Sequence, residues 1–126
     1  MSLILVVDDH YPMRIALEEL LKSMGHEMVG AKDGREALAV QRRQPADVLL
    51  TDIFMPEMDG FEVIQMFKQQ FPNVPVIAMT GGIPRHDGPY LDIAQKFGAK
   101  WVLPKPFSEL QFEEIIRAAT SVNPAI

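Results

Sequence analysis

Five polar groups stand at the ends of apolar runs: the pair Asp8 and Asp9 after residues 3–7, Asp52 at the close of the run over 46–51, Thr80 at the end of 74–80, and Lys105 just past 101–103. Taken singly, each has an ordinary use, because Asp and Thr cap helices and form turns and a loop lysine is usually solvated. Their joint placement asks for more. If the runs are parallel strands, three carboxylates converge on one edge of a sheet and repel one another unless a cation sits among them. A hard-oxygen cluster of this kind suits Mg²⁺, or Mn²⁺ in its place, since Mg²⁺ takes one or two protein carboxylates and keeps water and phosphate oxygens as its other ligands. A hydroxyl and an ammonium opposite that ion match the oxygens of a phosphoryl group.

The elements that must bring these groups together are legible in the apolar pattern. Five short runs alternate with stretches of helical period, which argues for an α/β fold with a parallel sheet covered on both faces. Pro12 suits the first turn of a helix whose apolar face is Met13, Leu17, Leu20, Leu21 and Met24 and which Gly25 stops. The second run, over 28–31, is weak. Asp33 is the N-cap expected for a helix that ends before Pro45, and residues 60–70 form another with Phe61, Ile64 and Phe67 on one face. The glycine- and proline-rich stretch 81–89 reads as a loop, followed by a short helix over about 89–97. Ser108 and Gln111 form a capping box for the last helix, with Phe107 packing on Phe112 as a staple.

At 126 residues and 48% apolar composition the chain fits one domain, with a core over about 3–119 and a tail over 120–126. Twelve basic against seventeen acidic residues, the basic ones scattered, speak against direct nucleic-acid binding. The chain has no cysteine, which fits a reducing compartment such as the cytoplasm and excludes thiolate catalysis. The opening MSLILVV is too short for a membrane span and has no basic region to make it a signal peptide.

Four motifs taken together, VVDD (6–9), TDIFMPEMDG (51–60), AMT (78–80) and KPF (105–107), resemble the receiver domain of two-component response regulators. The resemblance covers about 3–119. It implies a flavodoxin-like, doubly wound five-stranded parallel sheet of order 2-1-3-4-5, with five helices on its two faces. It further implies Asp52 as phosphoacceptor, with Mg²⁺ held by Asp8, Asp9, Asp52 and the main-chain carbonyl of Phe54. Lys105 would pair with the phosphoryl group, Thr80 would be the hydroxyl that moves toward it, and the Lys105–Pro106 bond would be cis. The implied partners are a sensor histidine kinase or a His-containing phosphotransfer protein as donor and an effector downstream. The output would pass through the surface of the fourth helix, fifth strand and fifth helix. The domain would catalyse only its own phosphorylation and dephosphorylation. A second copy of the chain, in a phosphorylation-dependent homodimer, is a further partner compatible with the resemblance.

Two other readings compete. An aspartyl-phosphate phosphohydrolase resembling the haloacid dehalogenase group needs a second acid two residues after its nucleophile, and Phe54 stands there. A receiver-like interaction module would ignore the phosphorylation site, yet all five expected groups are present. Departures from the family pattern also matter. Val102 occupies the position where many receivers carry a switching aromatic, and Trp101 should face the opposite side as a packing residue under the last helix. Arg85, His86 and His10 read as solvated residues. Phe54 could shield an acyl phosphate from water, while Gly82 opens the same pocket. Shielding predicts slower phosphoryl loss from the wild type than from Phe54→Asn in a radiolabel-decay measurement, and equal lifetimes would contradict it.

Overall fold

Along β1 (Leu3–Val7) successive side chains turn to opposite faces, and both faces are dry. Ile4 and Val6 join one apolar cluster, Leu5 and Val7 the other. The same division runs through β3 (Val48–Asp52) and β4 (Val76–Thr80), so the sheet separates two cores rather than roofing one. The computed structural model describes residues 1–53, 60–80, 95–96 and 98–121.

The remaining strands are β2 (Glu27–Ala31) and β5 (Trp101–Pro104), which form the two edges. All pairings are parallel, as the apolar pattern suggested, and the order is β2-β1-β3-β4-β5, as the resemblance implied. Helix α1 (Tyr11–Ser23) and the last helix (Glu109–Ser121) bury Leu17, Leu21, Phe112 and Ile116 in the cluster that contains Ile4 and Val6. Helices α2 (Gly34–Arg43) and α3 (Gly60–Gln70) cover the opposite face through Leu38, Ile64 and Phe67. The described residues thus contain four helices. The expected helix over 89–97 falls almost wholly outside them, as do the loop over 81–89 and Phe54.

Local chemistry sets the boundaries. The Asp33 carboxylate accepts the Glu36 N–H at 2.9 Å, which makes it the expected N-cap of α2. Gly25, at φ 86°, takes the left-handed turn that follows α1. The Ser108 and Gln111 side chains each accept the other's backbone N–H, at 3.1 and 2.9 Å respectively, and the Phe107 and Phe112 rings stack at 5.7 Å. Strand β3 starts at Val48 rather than at the expected Ala46. The reason is Gln41, whose amide donates to the Ala46 carbonyl and accepts its N–H, so Ala46 is bound to α2 and not to the ladder. Likewise β4 starts after Pro75, which has no N–H to offer a ladder but accepts Leu49 N–H at its carbonyl.

At the amino edge of the sheet, His26 Nδ1 accepts the Ser2 N–H at 3.0 Å, an arrangement open only to the neutral ring. Partial burial, and secondarily the positive amino terminus, lower its pKa below the ordinary 6.5. The folded chain therefore resists a proton that the unfolded chain accepts. His26 contributes stability that is present above pH 6.5 and is lost as pH falls through its lower folded value. Urea midpoints for wild type and His26→Gln should diverge at pH 8 and converge toward pH 5, and a constant gap would contradict this.

Candidate functional site

The sheet reverses its winding between β1 and β3, and the carboxyl ends of these two strands lie side by side, where ligands collect in open α/β sheets. Asp8 follows β1 and is fully buried. Asp52 is the last residue of β3 and is 7% exposed, whereas Asp9 is exposed. One carboxylate oxygen from each of the three lies within 4.8 Å of the other two. Like charges about 5 Å apart at an effective dielectric near 20 repel by roughly 3 kcal/mol, so the group needs compensation.

Lys105 supplies part of it. Its Nζ stands 3.2 Å from Asp8 Oδ2 and 3.2 Å from Asp52 Oδ2, bridging two strands from a third. The backbone holds it there: Lys105 N–H donates to the Thr80 carbonyl at 2.6 Å, continuing the β4–β5 register by one residue. The Lys105–Pro106 bond is cis, as the resemblance implied. Thr80 ends β4 fully buried, and among the described residues its Oγ1 has no hydrogen-bond partner.

Asp8 is tied down at every polar atom. Its N–H donates to the Ala31 carbonyl at 3.0 Å, and Oδ1 accepts the His10 N–H at 2.8 Å. Its carbonyl accepts from Arg14 Nη1. His10 itself is exposed, as expected, and acts here through its backbone. Sequence reasoning did not single out Arg14. The signal was a basic residue one turn into the helix that follows an acidic pair.

The structure thus brings together Asp8, Asp9, Asp52, Thr80 and Lys105. The main-chain carbonyl of Phe54 lies outside the described residues. The three acids suit a divalent hard cation: their oxygens are close together and two of the three are buried. A cavity lined by Ser2, Asp47, Asn73, Pro75 and Thr120 opens at the opposite, amino edge of the sheet, so this cavity and the charge cluster are separate. Trp101 packs with the last helix in one cluster and Val102 in the other, as strand alternation required.

A family model described as response regulator receiver domain matches residues 4–117. The sequence is 36% identical over 120 residues to the DNA-binding transcriptional regulator NtrC of Salmonella typhimurium, covering 95% of this chain and 25% of that protein. It is 33% identical over 120 residues to the probable transcriptional regulator ycf27 of Porphyridium aerugineum, covering 91% of this chain and 46% of that one. The chain therefore spans less than half the length of either curated relative. A response regulator receiver domain protein from Clostridium thermocellum superposes with a TM-score of 0.87 at 28% identity, covering 96% of this chain and 95% of that one.

A buried hydroxyl without a partner costs about 1–3 kcal/mol. Thr80→Val should therefore be as stable as the wild type or up to about 1 kcal/mol more stable in chemical denaturation. A clear loss of stability would mean that the hydroxyl is already bonded in the free protein.

Proposed function

The chain belongs to the response regulator receiver family, and from that premise we propose that Asp52 accepts a phosphoryl group from a phosphohistidine on a sensor histidine kinase or a His-containing phosphotransfer protein. The observation that carries this reading is Lys105 Nζ at 3.2 Å from both Asp8 and Asp52, with the buried Thr80 hydroxyl, unpartnered among the described residues, at the end of strand β4.

In the proposed step an Asp52 carboxylate oxygen bonds to phosphorus as the P–N bond breaks. The electron pair leaves with the imidazole nitrogen, which takes up a proton on the partner. Lys105 exchanges part of its contact with Asp52 for a phosphoryl oxygen, and the Thr80 hydroxyl donates to another, gaining a partner it lacks among the described residues. Asp8, Asp9 and Asp52, with the carbonyl of Phe54, would hold Mg²⁺ or Mn²⁺, which when bound shares charge with both anions and lets them approach. Rigid strand ends keep the carboxylate in position for attack.

Catalysis in this proposal stops at the chain's own phosphorylation and dephosphorylation, because Phe54 stands where a phosphohydrolase of the haloacid dehalogenase type needs its acid. The acyl phosphate would draw Thr80 inward and bias the surface of β5, the last helix and the expected helix over 89–97, through which an effector is controlled. Neither direct nucleic-acid contact nor membrane insertion is part of the proposal. Among the described residues no helix is long and apolar enough to cross a membrane. A histidine-kinase donor would place the reaction on the cytoplasmic side.

Incubation with acetyl phosphate and Mg²⁺, read by intact mass, tests the proposal. A phosphoryl adduct should form on the wild type and be absent from Asp52→Asn and from samples with chelator. No adduct, or an equal one on Asp52→Asn, would favour an interaction module that phosphorylation does not regulate.

A further inference from the structure

Asp8 and Asp9 are neighbours in sequence, and in a strand neighbouring side chains point to opposite faces. Both can serve one ion only because the chain leaves strand geometry directly after Asp8: β1 ends at Val7 and a bend lies at Asp9. The orientation of the Asp8 carbonyl sets the plane of the Asp8–Asp9 peptide, and with it the position of the second carboxylate relative to the first. That carbonyl accepts from Arg14 Nη1 at 2.5 Å.

Arg14 is itself seated. Its guanidinium carbon lies 5.4 Å from the centre of the Tyr11 ring, one turn earlier on α1. Its stem crosses β2 at Gly30, where a Cβ would stand 3.4 Å from Arg14 Cδ and 3.5 Å from Nε. A methyl group there would meet the stem at van der Waals distance, so the further atoms of a branched side chain would compete with it for space. Gly30 pairs with Val6 and adjoins Ala31, whose carbonyl receives the Asp8 N–H. The two peptides flanking Asp8 are thus fixed from the same edge strand, one directly and one through Arg14.

We infer that Arg14 is a positioning residue for the metal-binding carboxylates, and that Gly30 is the gap that seats its side chain. The inference rests on reading the acidic cluster as a divalent-cation site. Charge and geometry oppose each other here, which makes the effect decisive. A fixed positive charge this close disfavours a cation, so removing it tightens Mg²⁺ binding if Arg14 acts only through its charge. If Arg14 sets the carboxylate geometry, removing it weakens binding.

Calorimetric titration of Mg²⁺ into wild type, Arg14→Ala, Arg14→Lys, Gly30→Val and the Arg14→Ala/Gly30→Val pair separates the two, with circular dichroism confirming that each is folded at the working temperature. Arg14→Ala should weaken Mg²⁺ binding about tenfold, the scale found when a group that orients a metal ligand is lost. Gly30→Val should weaken it similarly, Arg14→Lys should recover part of the loss, and the pair should bind no more weakly than Arg14→Ala alone. Unchanged or tighter binding in Arg14→Ala overturns the inference, and additive losses in the pair overturn the role given to Gly30. Should Arg14→Ala fail to fold, Gly30→Val and Arg14→Lys carry the same comparison. A wild type that takes up no Mg²⁺ overturns the cation-site reading and this inference with it, whereas normal wild-type binding with an indifferent Arg14→Ala overturns the inference alone.

Discussion

The structure turns on one electrostatic constraint: a fully buried carboxylate, Asp8, must be compensated at the carboxyl edge of a sheet whose two faces are packed almost entirely with apolar side chains. An isolated buried charge costs several kcal/mol, more than most single contacts return. Compensation comes from Lys105, and the lysine can arrive only if β5 lies on the far side of β4 and the chain leaves it in the right direction. Strand order, the Thr80–Lys105 backbone bond and the placement of Asp52 all serve the same contact. Because the ammonium touches Asp8 and Asp52 equally at 3.2 Å, neither acid owns it, and a new anion at Asp52 can recruit it without stripping Asp8 of its other partners.

Much of this was legible in the sequence because the governing patterns are local. The apolar runs set the strands, Asp33 and the Ser108–Gln111 pair set helix starts, and polar residues at run ends marked the site. Alternation alone placed Trp101 and Val102 on opposite faces. Side-chain bonds to the backbone beyond the side chain's own element were what sequence patterns could not carry. Gln41, in a helix of otherwise ordinary pattern, reaches across to Ala46 and delays β3 by two residues. Arg14 looked like any exposed helical arginine until the fold brought β2 beneath its stem. Both contacts join side chain to backbone, and such bonds leave no periodic trace.

The two cores also divide the labour. One face of the sheet packs α1 and the last helix, the other α2 and α3, and the site lies along the rim between them. Asp8, Asp9 and Arg14 belong to the α1 side and Lys105 leads into the last helix, so the charged groups are anchored mainly to the core that holds Phe112 and Ile116.

Between Lys105 and the capping box at Ser108 lie only Pro106 and Phe107. The proline has a fixed φ, and the phenylalanine is pinned by its stack on Phe112 in the first turn of the last helix. This short leash has almost no slack. A shift of the lysine by a fraction of an ångström is not absorbed by a flexible linker but handed to the helix at its base, and the length of that helix can magnify it at the far end. In mechanical terms the last helix is a lever whose fulcrum is the aromatic pair and whose short arm ends in an ammonium group.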